Sequence, residues 1–233
     1  MKNLTYIANK VHLTDKGTSN LWSHGFTEFY NDYFEKIYEI AKYENRKVNI
    51  LEVGILEGGS LLMLNDFFDG NCNIVGLDID DNVISEFNTK YGNENMIVLK
   101  CDQSNIDELE NFRSEHSDMK FDIIIDDGSH IYLHQMITLY VLSKMLNDNG
   151  IYILEDLHTS LGVVNTDFGD NPNKPVTPLY SLVFRVSSPH LFPEENDDLF
   201  NRLKDVIIYN RKNYGCPTFN NASVTSIITF NNQ

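Results

Sequence analysis

Apolar residues in this chain fall into short runs separated by longer stretches of mixed polarity. Residues 48–53 (VNILEV) form one run, ended by Gly54. Residues 73–80 (NIVGLDID), 96–101 (MIVLKC), 121–125 (FDIII) and 151–154 (IYIL) repeat the pattern, the last just after Asn149-Gly150. Each is strand-length and mostly apolar on both faces, as buried parallel strands require. The stretches between them, 60–68, 83–91, 106–116 and 134–146, carry apolar residues at helical spacing. This alternation predicts an α/β fold, a doubly wound sheet with right-handed crossovers. Residues 26–43, with Phe29, Tyr33 and Phe34 along them, predict a helix ahead of the first strand. Residues 158–200 hold Pro172, Pro175, Pro178, Pro189 and Pro193 and read as an inserted loop, and residues 206–209 and 224–230 as a late strand pair. The expected organisation is one domain: a helical cap (1–47), a ligand-binding core (48–157), an insertion or lid (158–203) and a closing strand pair (204–233).

Composition narrows the partners. A formal net charge of -16 argues against a nucleic-acid ligand, which needs clustered Lys and Arg. It is compatible with a cationic cofactor and a metal ion, although solubility alone accounts for the total. Cys72, Cys101 and Cys216 form no CxxC pair, which suggests reduced thiols and a cytoplasmic location. The first residues lack the apolar run of a signal peptide, and no segment predicts a membrane span.

Glu52-Val53-Gly54-Ile55-Leu56-Glu57-Gly58-Gly59-Ser60 joins the first strand to the next helix. Glycines let such a loop turn tightly and approach a ligand. The spacing is not GxGxxG and no P-loop lysine follows, which disfavours a dinucleotide. ExGxxxGGS instead resembles motif I of class I methyltransferases, whose loop cradles the methionine part of S-adenosyl-L-methionine. Asp78 ends the second strand, where an acid can accept ribose hydroxyls, and Asp102-Gln103 follow the third, where adenine would lie. Taken singly, Asp102 is equally well read as a helix N-cap. Acids in this order at successive strand ends favour a cofactor set of Glu52, Gly54, Gly58, Ser60, Asp78, Asp102 and Gln103.

Two acidic clusters follow, Asp126-Asp127-Gly128-Ser129-His130 after strand four and Glu155-Asp156-Leu157-His158 after strand five. Carboxylates converging there repel unless a cation lies between them. A hard divalent ion such as Mg²⁺ suits oxygen donors, and no zinc spacing is present. The plainer alternative has Asp126 and Asp156 capping the helices that follow. Asp127-Gly128-Ser129-His130, with Glu155-Asp156 28 residues beyond Asp127, resembles the macrolide-sugar O-methyltransferases of the mycinamicin and macrocin type. Thr14-Asp15-Lys16-Gly17-Thr18 and His24-Gly25-Phe26-Thr27 add to the likeness, which covers roughly residues 10–160. The resemblance implies a Rossmann-like class I methyltransferase fold with a mostly parallel seven-stranded sheet and helices on both faces. It implies Asp127, Glu155 and Asp156 as Mg²⁺ ligands and His130 as general base. His158 is a second candidate base or a partner of Asp156, and His24 a residue that could line the site from the cap. The implied acceptor is a hydroxyl of a small-molecule or nucleotide-linked sugar. Catechol-type enzymes share the acid spacing but carry Asn in the last place, so a phenolic acceptor is the runner-up, followed by a non-catalytic cofactor-binding protein. Homo-oligomerisation stays open.

Overall fold

The computed structural model describes residues 3–10, 14–19, 23–160, 178–185, 197–212 and 222–231. The apolar runs become β1 (Val48–Val53), β2 (Cys72–Asp78), β3 (Met96–Lys100), β4 (Phe121–Asp126) and β5 (Leu146–Leu154), and two late strands are β6 (Leu203–Lys212) and β7 (Ala222–Phe230). They form one seven-stranded sheet in the order β3-β2-β1-β4-β5-β7-β6. The pairings among β1 to β5 are parallel. Only β7 is reversed, antiparallel to both β5 and β6.

Alternation along each strand divides the core into two layers. Ile50, Ile74, Ile123, Ile125, Ile151, Ile153 and Ile227 face one cluster, which contains residues of α1 (Leu4–Ala8), α2 (Thr27–Tyr43) and α3 (Gly59–Phe67), and Phe87 of α4 (Asp81–Tyr91). Leu51, Val75, Ile124, Tyr152, Leu154 and Ile228 face the other, with α5 (Ile106–Glu115), α6 (Tyr132–Leu142), α7 (Pro178–Phe184) and α8 (Asp197–Arg202). Both faces of the central strands are therefore covered, which is why these strands are mostly apolar. Each fully buried Leu or Ile contributes about 1.5–3 kcal/mol.

The boundaries differ from expectation where polar residues carry the backbone. Helix α6 ends at Leu142, and β5 already begins at Leu146. Its first half pairs through Leu146 with Phe121, and the register then shifts to Ile151 opposite Ile123. Asn147-Asp148-Asn149 in that shift give no apolar signal, and Asn149 takes a φ of 63°. Helices α7 and α8 lie in the stretch expected to be loop. Pro178 opens α7, a position where proline's missing N–H costs nothing, and Leu182, Leu199 and Phe200 are buried. Pro172, Pro175, Pro189, Pro193 and Cys216 lie outside the described residues. No helix among the described residues is long and apolar enough to cross a membrane.

Candidate active site

In a parallel sheet all the loops after the strands emerge on one edge, and β1 lies between strands reached by crossovers in opposite directions, the place where such sheets bind ligands. Here those loops enclose a cavity of about 620 Å³, walled by Gly54, Ser60, Asp78, Asp102, Gln103, Asp127, His130 and Asp156. Gly54 is fixed by its surroundings. Its φ is 79°, and a Cβ there would lie 2.4 Å from the Asp127 carbonyl oxygen. The loops after β1 and β4 can approach this closely only with glycine at that position. The Asp78 carboxylate braces the first loop, accepting the Ile55 N–H at 3.1 Å and the Asp80 N–H at 3.0 Å, while it also faces the cavity. Gly58, the N-cap of α3, lies in the left-handed region and packs against the Phe87 ring.

The loop after β3 braces its neighbour. Asp102 accepts the Ser104 N–H at 2.8 Å; hydrogen bonding from the Ser104 side chain first, and this backbone bond after it, hold its carboxyl below the usual range, and the N-cap of α5 is Asn105. Gln103 is buried, and both ends of its carboxamide are engaged. Nε2 donates to Asp126 Oδ1 at 2.5 Å, and Oε1 accepts the Ser129 N–H at 2.9 Å. A Cβ on Gly128 would lie 2.3 Å from that Oε1. Gln103 thus fixes the loop that carries Asp127 and His130. Asp126 is fully buried, and burial raises its carboxyl to about 7 against the Gln103 hydrogen bond. It does not cap α6, whose N-cap is Ile131, without a side-chain bond.

Lys16 enters this site from the N-terminal segment, a partner the sequence did not reveal. Its side chain is buried, and its ammonium bonds Asp127, Glu155 Oε2 at 2.7 Å and, more distantly, Glu52 Oε1 at 3.4 Å. Burial pulls the Lys16 pKa down, but the summed attraction of Asp127, Glu155, Glu52 and Asp15 outweighs it, and the net shift is upward. Burial raises Glu155 well above the carboxylate range and Glu52 to about 7, with Lys16 opposing both. The other Glu155 oxygen accepts the Tyr30 hydroxyl at 3.0 Å, and Tyr30 in turn lies 2.7 Å from Thr225 Oγ1. Backbone bonds from His24 to Asp15, Gly25 to Gly17 and Thr27 to Lys16 lash residues 15–17 against the start of α2.

The remaining acid faces histidines. Asp156 and His130 both adopt left-handed backbones, with φ of 54° and 58°. His130 Nε2 lies 3.3 Å from Asp156 Oδ2, while His24 Nδ1 and His158 Nδ1 lie 3.6 and 3.5 Å from Oδ1. Burial lowers the His158 pKa despite Asp156. Thr159 Oγ1 donates to the carbonyls of His130 and Asp156, joining the two loops. One donor atom from each of Asp127, His130 and Asp156 falls within 4.8 Å of the others. Of the three acids expected to hold a cation, Asp127 and Asp156 converge here, and Glu155 turns to Lys16 and Tyr30. The Asp127 and Asp156 carboxylates are hard oxygen donors of the kind that fits a divalent cation such as Mg²⁺, with the His130 imidazole beside them.

No family model matches the chain. It is 32% identical over 157 residues to the demethylmacrocin O-methyltransferase of Streptomyces fradiae, covering 64% of this chain and 36% of that protein. It is 31% identical over 145 residues to the mycinamicin VI 2''-O-methyltransferase of Micromonospora griseorubida, covering 59% and 32%. The chain thus spans about a third of the length of these curated relatives. Among solved structures, the MycE methyltransferase from the mycinamycin biosynthetic pathway, in complex with Mg, SAH and mycinamycin VI, superposes with a TM-score of 0.67 at 22% identity, over 98% of this chain and 54% of that one. An O-methyltransferase from Bacillus cereus in complex with SAH gives 0.50 at 12% identity, over 97% and 89%. The chain has the Rossmann-like methyltransferase fold, and its sequence is similar to the macrolide-sugar O-methyltransferases.

Proposed function

We propose that this chain is an S-adenosylmethionine- and Mg²⁺-dependent O-methyltransferase acting on a hydroxyl of a sugar or glycosylated small molecule. One observation carries the reading: a single cavity joins the glycine loop and Asp78 to the Asp127, His130 and Asp156 cluster. The sequence likeness to enzymes named for O-methylation of glycosylated macrolides supports the acceptor class.

In this reading Gly54 lets the loop admit the methionine part of the cofactor, and Asp78 takes the ribose hydroxyls. Because one cavity reaches both ends, cofactor and acceptor would meet there, and holding them together lowers the barrier by making the encounter effectively unimolecular. Asp127 and Asp156 would hold the cation, Asp127 exchanging its bond to Lys16 for it, and Glu155 would join them by the same exchange. When bound, the cation lowers the pKa of the acceptor hydroxyl and fixes its direction. As the O–CH₃ bond forms and the sulfonium S–CH₃ bond breaks, its electron pair staying on the sulfur of the departing S-adenosylhomocysteine, His130 takes the hydroxyl proton. Asp156 Oδ2, 3.3 Å away, orients the ring and stabilises the imidazolium that results. Residues 158–203 serve as the acceptor-side lid.

Methyl-labelled S-adenosylmethionine, offered with a panel of glycosides carrying vicinal hydroxyls and a parallel panel of catechols, tests the proposal. Label should pass to glycosides, stop with EDTA and resume with Mg²⁺. Transfer that survives exhaustive chelation, or that goes to catechols alone, contradicts it.

A further inference from the structure

Asp156 presents its two carboxylate oxygens to two different sets of side chains. Oδ2 faces His130 on the cavity side. Oδ1 lies 3.6 Å from His24 Nδ1 and 3.5 Å from His158 Nδ1. The two imidazoles are stacked, with centroids 5.7 Å apart and planes 28° from parallel. One donor atom from each of the three residues falls within 4.8 Å of the others, and neither His24 nor His158 lines the cofactor cavity.

We propose that His24, Asp156 and His158 form a second cation site, selective for a transition-metal dication such as Zn²⁺ or Co²⁺. Two imidazoles and one carboxylate oxygen suit these ions, whereas Mg²⁺ prefers oxygen donors and water. The spacing suits them as well. Bonds of about 2.1 Å at a tetrahedral angle place neighbouring donors about 3.4 Å apart. The observed 3.5 and 3.6 Å need only small adjustments. The donors are also held in place. His24 stacks on Phe26 at 5.1 Å, and its backbone N–H bonds Asp15. His158 sits in the 3-10 turn Leu157–Ser160 directly after Asp156. Ser223 Oγ, 2.9 Å from His24 Nδ1, either completes the shell or turns aside as the ion enters. An ion here ties the segment before α2 to the exit of β5. The site stands apart from the methyl-transfer reading and shares only Asp156 with it.

Titration of the full chain with Co²⁺ in excess Mg²⁺ tests this, read by the visible absorption of nitrogen-ligated Co²⁺. The absorption should saturate at one ion per chain. His24→Gln and His158→Gln should each weaken Co²⁺ binding by on the order of 10²-fold while leaving the Mg²⁺ isotherm in place. Asp127→Asn should weaken Mg²⁺ and leave the Co²⁺ signal. Bound Co²⁺ should also shield His24 of the unsubstituted chain from carbethoxylation, a readout that needs no variant. Stoichiometric displacement of Co²⁺ by Mg²⁺, Co²⁺ binding unchanged in both glutamine variants, or an unshielded His24 overturns the second site.

Discussion

His130 holds a left-handed backbone that costs a residue with a side chain about 1–3 kcal/mol. The loop around it meets that cost: Ser129 N–H is fixed by Gln103, and the His130 carbonyl accepts from Thr159. A base acts in the transition state and not in cofactor or cation binding. His130→Ala should therefore lower single-turnover methyl transfer by about 10²–10⁴-fold with both affinities unchanged. A rate within a few-fold of the parent would move the proton to His158. The cysteines offer a separate check. Burial raises the thiol of Cys72 to about 11 and that of Cys101 to about 12. At pH 8 the Cys101 thiolate is then scarcer than that of a free cysteine by roughly 10³-fold, although Cys101 borders the cavity. Peptide mapping after iodoacetamide treatment of the folded protein should find Cys101 unmodified; rapid labelling would mean a less buried thiol. Asp127, His130 and Asp156 were legible in the sequence because their loops follow recognisable strands. Gln103 was legible as a loop residue next to the site, but its bonds to Asp126 and Ser129 reach 23 and 26 residues along the chain, and no local pattern encodes them.

At the scale of elements, the apolar runs located β1 to β4 closely because buried parallel strands leave an unbroken signature. The first half of β5 escaped, since its polar residues are held by a register shift. Helices α7 and α8 escaped because proline density reads as loop even where one proline opens a helix. Lys16 escaped for a different reason: its acids Asp127 and Glu155 lie 111 and 139 residues away, and a lysine in a polar segment carries no sign of burial. Its importance follows from what it neutralises. Lys16→Met leaves Glu52, Glu155 and Asp127 without their ammonium, and breaking a buried ion pair from one side costs roughly 3–5 kcal/mol. Urea unfolding in EDTA should show a loss of that order. Mg²⁺ should then raise the melting temperature of Lys16→Met more than that of the parent, because a divalent cation can take up the same carboxylates. Equal Mg²⁺ shifts in both proteins would mean that the ammonium and the cation share no ligand.

At the scale of the molecule, parallel strands deliver five loops to one edge, and an acidic chain concentrates carboxylates there. The parallel strands and the covered faces follow from strand–helix alternation; the number of strands came from the resemblance, and the order β3-β2-β1-β4-β5-β7-β6 came only with the structure. The central claim is that this edge binds S-adenosylmethionine, and calorimetric titration of the full chain with that cofactor tests it most directly, with NAD as the comparison and Asp78→Ala as the variant. The account predicts one S-adenosylmethionine bound per chain, no heat from NAD, and much weaker cofactor binding by a folded Asp78→Ala variant. Binding of NAD without S-adenosylmethionine, or an unchanged cofactor isotherm in Asp78→Ala, would contradict it.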